Sequence, residues 1–140
     1  MKIKLKYILP IIILVMSCNK KTACSELEQV YVNPYLTNEK GISYCELLSQ
    51  SIENEASFFT FIKLDIGTDN FYAHGEVLLQ LVDLRGEEYF VKAVEKLNKI
   101  ERFMLRVYLD GGFRETKILP FKEKELKEVF PRLEEALVLD

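Results

Sequence analysis

The chain has 140 residues, of which 49% are hydrophobic and 29% charged, and this composition is typical of a globular domain. The length suits one domain better than two. Lysine and arginine number 19 against 22 acidic residues, which gives a formal net charge of −3. A mildly acidic chain without a basic cluster in its main part lacks the surface that nucleic acids require, so we expect no nucleic-acid partner.

The N-terminus combines a basic segment with a short apolar one. Lys2, Lys4 and Lys6 precede an apolar run at residues 8–16 that only Pro10 interrupts. The run is shorter than the roughly 20 residues that a membrane-spanning helix needs. It is typical of the hydrophobic region of a secretory signal peptide. A core strand and an uncleaved membrane anchor are the alternative interpretations.

The residues that follow indicate lipid attachment. Val15, Met16 and Ser17 lead directly to Cys18. This segment resembles the lipobox of bacterial lipoproteins, in which an aliphatic residue, a variable residue and a small residue precede the cysteine. The resemblance covers residues 1–18. It implies that residues 1–17 are removed as a signal peptide. It also implies that the Cys18 thiol receives a diacylglyceryl group, often with a further acyl chain such as palmitate on its amine. Two or three acyl chains make a stable membrane anchor.

The residue after Cys18 bears on location. An aspartate there resembles the inner-membrane retention signal of Gram-negative lipoproteins, and this chain has Asn19 instead. We therefore expect the protein in the bacterial cell envelope, anchored to the outer membrane and facing the periplasm.

Two cysteines remain beyond the lipidation site. Cys24 and Cys45 form an even pair in an oxidising compartment, which favours a disulfide. It would close a loop of roughly 20 residues and stabilise the fold by about 3 kcal/mol on the chain-entropy model. The bridge would fix a tether and extended segment at residues 18–42 to a helical domain at residues 43–140. The alternative is a reactive Cys45 thiol in the first turn of a helix.

The helical domain begins with two short helices. Ser43 and Glu46 are spaced as in a capping box, and Asn54 can cap a second helix. A loop at residues 65–70 separates the second helix from the third. The apolar positions at helical spacing are Leu47, Leu48, Ile52, Phe58, Phe61 and Ile62.

The third helix has the clearest period and ends at Gly86, and a fourth covers residues 87–97. The apolar face of the third helix consists of His74, Val77, Leu78, Leu81 and Val82. Asn98 and Glu101 predict a second capping box at the start of the fifth helix.

The fifth helix should end at Gly111 and Gly112, where a left-handed cap residue belongs. A sixth helix runs from Leu126 to Leu137, and Pro131 should kink or split it. The sequence thus predicts an all-α fold: a compact array of about six antiparallel helices, as a bundle or a stack of helical hairpins such as HEAT repeats, after a disulfide-stapled extended segment.

The loop before the third helix partly matches the calcium-binding pattern of an EF-hand. Asp65, Asp69 and Glu76 occupy positions 1, 5 and 12 of an EF-hand pattern. Position 3 should carry a ligand side chain but is Gly67, and position 6 should be the turn glycine but is Asn70. We expect no metal. Asp69 or Asn70 would instead cap the third helix.

His74 is the only histidine, and it falls on an apolar helical face. It could act as a general base, but a packed core histidine is the favoured interpretation because no nucleophile lies near it in sequence. The chain has no Rossmann glycine pattern, P-loop, HExxH or GxSxG motif. We therefore expect neither an enzyme nor a cofactor.

Aromatic residues where the helical period breaks are candidates for recognition, because loops carry binding residues on a rigid scaffold. Acidic neighbours would steer a basic partner. Core packing of these aromatics is the alternative. The candidate partner-binding residues are Tyr35, Asp69, Tyr72, Asp110, Phe113 and Glu115.

These patterns together predict a lipid-anchored envelope protein whose periplasmic helical domain binds a protein partner. An immunity-type inhibitor of a toxin is one form of that function. A structural or assembly lipoprotein of the outer membrane is the alternative.

Replacing Cys18→Ser should leave an uncut precursor without lipid, because a serine oxygen cannot form the thioether. Radiolabelled palmitate should enter the wild-type chain and a Cys24→Ser control, but not the Cys18→Ser variant. Palmitate on the Cys18→Ser variant would contradict the lipoprotein interpretation.

Overall fold

The computed structural model describes Cys24, Leu27 and residues 40–138. This part of the chain is all-α and contains seven helices after residue 40. They are α1 Tyr44–Glu53, α2 Glu55–Phe61, α3 Phe71–Arg85, α4 Glu87–Val94, α5 Lys99–Glu115, α6 Leu126–Val129 and α7 Pro131–Leu137. The fold class predicted from the sequence is therefore confirmed.

Side-chain caps begin three of these helices. The Ser43 hydroxyl accepts a hydrogen bond from the Glu46 amide at 3.3 Å, and the Asn54 carbonyl oxygen accepts one from the Ser57 amide at 3.0 Å. The capping box at α5 is complete, because Asn98 and Glu101 exchange both bonds at 2.9 Å. Each cap satisfies amides that have no partner within the helix.

The predicted end of the fifth helix is wrong. Helix α5 continues through Gly111 and Gly112 to Glu115. The two glycines serve close packing instead of a left-handed cap. A Cβ atom at Gly112 would lie 2.4 Å from the backbone of Gly75 in α3, and one at Gly111 would lie 2.3 Å from the Phe71 ring.

The C-terminal helix is split, as its proline predicts. Helix α6 ends at Val129, and α7 begins with Pro131 in its first turn. Proline is tolerated there because the first amides of a helix have no acceptor within it. The six predicted helices therefore become seven.

Helix α3 lies at the centre of the core. All its residues from His74 to Val82 are buried, so α3 has no solvent-facing stripe over these turns. A helix that is covered on all sides needs neighbours around it. Helix α5 packs most extensively against it, and the α1–α2 hairpin contributes Tyr44 and Phe61, whose rings contact His74.

The predicted disulfide is confirmed. Cys24 and Cys45 are bonded, with their Cα atoms 5.4 Å apart. The bond joins the chain before residue 40 to the first turn of α1. Leu27 packs against the same core.

No helix in the described part of the chain is long and apolar enough to cross a bilayer. The predicted signal peptide, the Cys18 lipidation site and most of the tether lie outside the described residues.

A methyl group at Gly75 should disrupt the contact between α3 and α5. Its Cβ atom would lie 2.2 Å from the Tyr108 carbonyl oxygen and 2.6 Å from the Gly112 nitrogen, and neither backbone atom can rotate away. We expect Gly75→Ala to lower the free energy of unfolding by about 3 kcal/mol, measured by urea denaturation.

The matched control is Asp83→Ala at the exposed C-terminal end of the same helix, with an expected change within about 0.5 kcal/mol. Equal urea midpoints for wild type and Gly75→Ala would show that the two helices separate at little cost.

Candidate functional site

The predicted recognition residues at the start of α3 lie at the surface. Asp69 is exposed in the preceding loop, and the Tyr72 side chain is 43% exposed with its ring 5.2 Å from that of Phe71. Neither Asp69 nor Asn70 caps α3 through a side-chain hydrogen bond. Tyr35 lies outside the described residues.

The prediction of an exposed Phe113 is wrong. Phe113 lies within α5, is only 6% exposed, and packs its ring against those of Phe121 and Phe130 at 6.1 and 6.4 Å. The helical period does not break at the glycines, so Phe113 keeps an inward position. Asp110 and Glu115 are exposed on the same helix. The predicted site residues therefore do not form one exposed cluster.

The structure shows a different exposed surface at the N-terminal half of α5. Ile100, Phe103 and Met104 are 75%, 53% and 36% exposed, and they share one side of the helix at positions i, i+3 and i+4. We name these three residues the apolar face. Their helical spacing in the sequence groups them with Tyr108 in one apolar pattern of the fifth helix, whereas in the structure Tyr108 is buried beside Leu105 and Leu109 and the apolar face is not.

Polar pairs border the apolar face. Lys63 lies 3.6 Å from the Glu101 carboxylate and 4.4 Å from the centre of the Phe59 ring. One turn further along α5, Arg106 pairs with Asp110 and with Glu134. The apolar face thus has a charged border, and an apolar centre within a polar rim is the common anatomy of protein interfaces.

A cleft of about 490 Å³ lies beside this border, between the C-terminal half of α5 and residues 124–134. Four cationic side chains and three carboxylates line it together with Phe113 and Leu126. We name it the charged cleft. Burial raises the pKa of the Asp110 carboxyl group, and the neighbouring Arg106 guanidinium opposes this shift.

His74 occupies an enclosed position in the core. It is fully buried, and its Nδ1 lies 2.7 Å from the Tyr44 hydroxyl oxygen. The Tyr108 ring packs edge-on at 5.0 Å. Burial lowers the pKa of His74 to about 3, so the imidazole is neutral at pH 7. The prediction of a packed core histidine is confirmed, because the His74 ring is fully buried and its Nδ1 shares a hydrogen bond with Tyr44.

No group of three or more histidine, cysteine, aspartate or glutamate side chains in the described part of the chain could hold a metal ion. No protein-family model, curated protein or solved structure matches the chain. The surface of the domain is therefore the remaining guide to its function.

The buried imidazole should make stability depend on pH. A histidine whose pKa is about 3 in the folded state and about 6.5 unfolded binds a proton first in the unfolded chain. The stability that the neutral His74 contributes is therefore fully present above pH 6.5 and is lost as the pH drops toward 3. Between pH 7 and 5.5 the expected loss is about 1 kcal/mol.

Urea denaturation of wild type and His74→Gln at both pH values isolates this effect. The variant should have a lower free energy of unfolding than wild type at pH 7. Between pH 7 and 5.5 its free energy of unfolding should fall by about 1 kcal/mol less than that of wild type. Parallel losses in both proteins would mean that His74 is accessible to protons in the folded state.

Proposed function

We propose that this chain is a lipid-anchored protein of the bacterial envelope whose helical domain binds a protein partner through the apolar face of α5. The observation that carries the proposal is the exposure of three large apolar side chains, Ile100, Phe103 and Met104, on one side of a well-capped helix. Covering such side chains contributes roughly 25 cal/mol for each Å² of apolar surface removed from water.

The geometry suits a protein partner. Side chains at i, i+3 and i+4 present a continuous ridge, which a groove or a second helix can cover. The Lys63–Glu101 pair and Arg106 supply polar groups at the edge. Phenylalanine, methionine and arginine are enriched in such interfaces.

The position of the disulfide supports action close to a membrane. Cys24 is six residues beyond the proposed lipidated Cys18, and six extended residues reach at most about 20 Å. With Cys24 bonded to α1, the domain would remain that close to the bilayer. The partner would then be an envelope protein, and a toxin neutralised by an immunity-type protein is one such partner.

The double variant Ile100→Gln, Phe103→Gln should lose partner binding while the fold persists. Substitution of exposed residues typically changes the free energy of unfolding by no more than about 0.5 kcal/mol. Loss of two central interface side chains should weaken binding at least roughly thirtyfold. The measurement is recovery of the cross-linked partner from cells.

The matched control is Leu84→Gln, Leu119→Gln, which removes two exposed leucines elsewhere on the domain. Equal recovery by both double variants would place the partner on another surface. An unfolded Ile100→Gln, Phe103→Gln variant would show that the apolar face supports the fold.

A further inference from the structure

We propose that the charged cleft beside the apolar face binds a carboxylate, supplied by a glutamate or aspartate side chain of the same protein partner. This inference rests on the proposed function, because it assigns the partner's chemistry. The cleft holds about 490 Å³, which is ample for an acidic side chain.

The carboxylates within the cleft are already paired with cations. Asp110 and Glu134 both pair with Arg106, with the Asp110 oxygen 3.6 Å from the guanidinium. Glu125 pairs with Lys127 at 2.9 Å. Every carboxylate that lines the cleft therefore already has a cation.

Two cations in the cleft remain outside these ion pairs. Arg114 and Lys124 line the same cleft, are exposed, and form no ion pair with any residue that the structure describes. The charge of Arg114 acts on Asp110 only at longer range, and Lys124 has no carboxylate of the described residues within ion-pair distance, so the cleft has more positive charge than its ion pairs use. An anion is the complementary ligand.

The total charge decides which anion fits. Four cations and three carboxylates leave one net positive charge, which one carboxylate neutralises. A phosphate dianion would leave the cleft negative beside Asp110 and Glu134. The planar guanidinium of Arg114 can donate two parallel hydrogen bonds to a carboxylate, and Lys124 can add a third donor.

The apolar part of the lining suits the stem of an acidic side chain. Phe113 and Leu126 contribute carbon surface, against which methylene groups can pack while the carboxylate meets the cations.

The cleft and the apolar face belong to one surface. Phe103 and Asp110 are two turns apart on α5, about 10 Å along the axis. An interface of standard size covers about 800 Å² on each partner and can include both. The partner would then pair an apolar ridge or groove with an acidic side chain about two turns away.

The test uses the isotope-labelled full chain in detergent and a small probe, N-acetyl-L-glutamate α-amide, which carries a single carboxylate. We expect saturable NMR shifts at Arg114 and its neighbours. Loss of charged hydrogen bonds in Arg114→Gln, Lys124→Gln should weaken probe binding at least about tenfold. The neutral analogue N-acetyl-L-glutamine amide should give no saturable shift.

The control variant Lys122→Gln, Arg132→Gln loses the same charge from exposed residues outside the cleft lining, and it should bind the probe like wild type. Equal affinity in the two double variants, equal shifts with the neutral amide, or no saturable shift would overturn the proposal. Tighter binding of inorganic phosphate than of the probe would overturn its carboxylate specificity.

Because the probe needs no partner, these results are independent of the proposed function. If the wild-type chain does not bind the probe but partner recovery still depends on Ile100 and Phe103, only the assignment of the cleft is wrong. If the wild-type chain binds the probe but partner recovery does not depend on Ile100 and Phe103, the cleft remains an anion site and the apolar face is not the partner's surface.

Discussion

The close backbone contact between α3 and α5 is the constraint on which the rest of the fold depends. Gly75 and Gly112 face each other so closely that a Cβ atom on either would lie within 3 Å of the other helix's backbone. This approach brings Tyr108 beside His74 and covers one side of α3. The Tyr44 and Phe61 rings of the α1–α2 hairpin contact His74, and α4 also packs against α3, whose residues are buried over more than two turns.

The same contact determines what α5 presents to solvent. Because its glycine-bearing side faces α3, residues such as Leu105 and Leu109 are buried, and Ile100 and Phe103 are directed outward. One helix therefore has an inner side that stabilises the core and an outer side available for recognition. Substitutions on the two sides should have separable effects on folding and on binding.

Local features were predictable from the sequence, whereas those that depend on long-range packing were not. The caps at Ser43, Asn54 and Asn98 and the break at Pro131 depend on residues within one turn, and all four are confirmed. The disulfide followed from cysteine parity in the expected compartment. A full capping box at Ser43 would also need the Glu46 carboxylate to accept from the Ser43 amide, but at α1 only the Ser43 bond is present and Glu46 accepts from Gln50.

Glycine was the main source of error. In the sequence, Gly111 and Gly112 are as compatible with the end of a helix as with a close crossing of two helices. Only the position of α3 distinguishes the two roles. The wrong end then placed Phe113 in a loop, although its spacing from Leu109 is helical. Likewise, apolar residues cover both sides of α5, so periodicity alone could not identify Ile100 and Phe103 as exposed. The charged cleft brings together residues from α5 and from 124–134, and no local pattern links them.

The attachment of the N-terminal chain connects the fold to its proposed setting. The disulfide fixes Cys24 to α1, and Leu27 packs on the core three residues later, so the chain meets the domain at two nearby points. The covalent bond keeps this attachment even when the weaker apolar contact opens. In a lipid-anchored protein, the length of free tether sets how far the domain can search for a partner. A tether of six residues would confine that search to a thin layer at the membrane surface, where a modest affinity for the apolar face of α5 suffices for a partner held in the same layer.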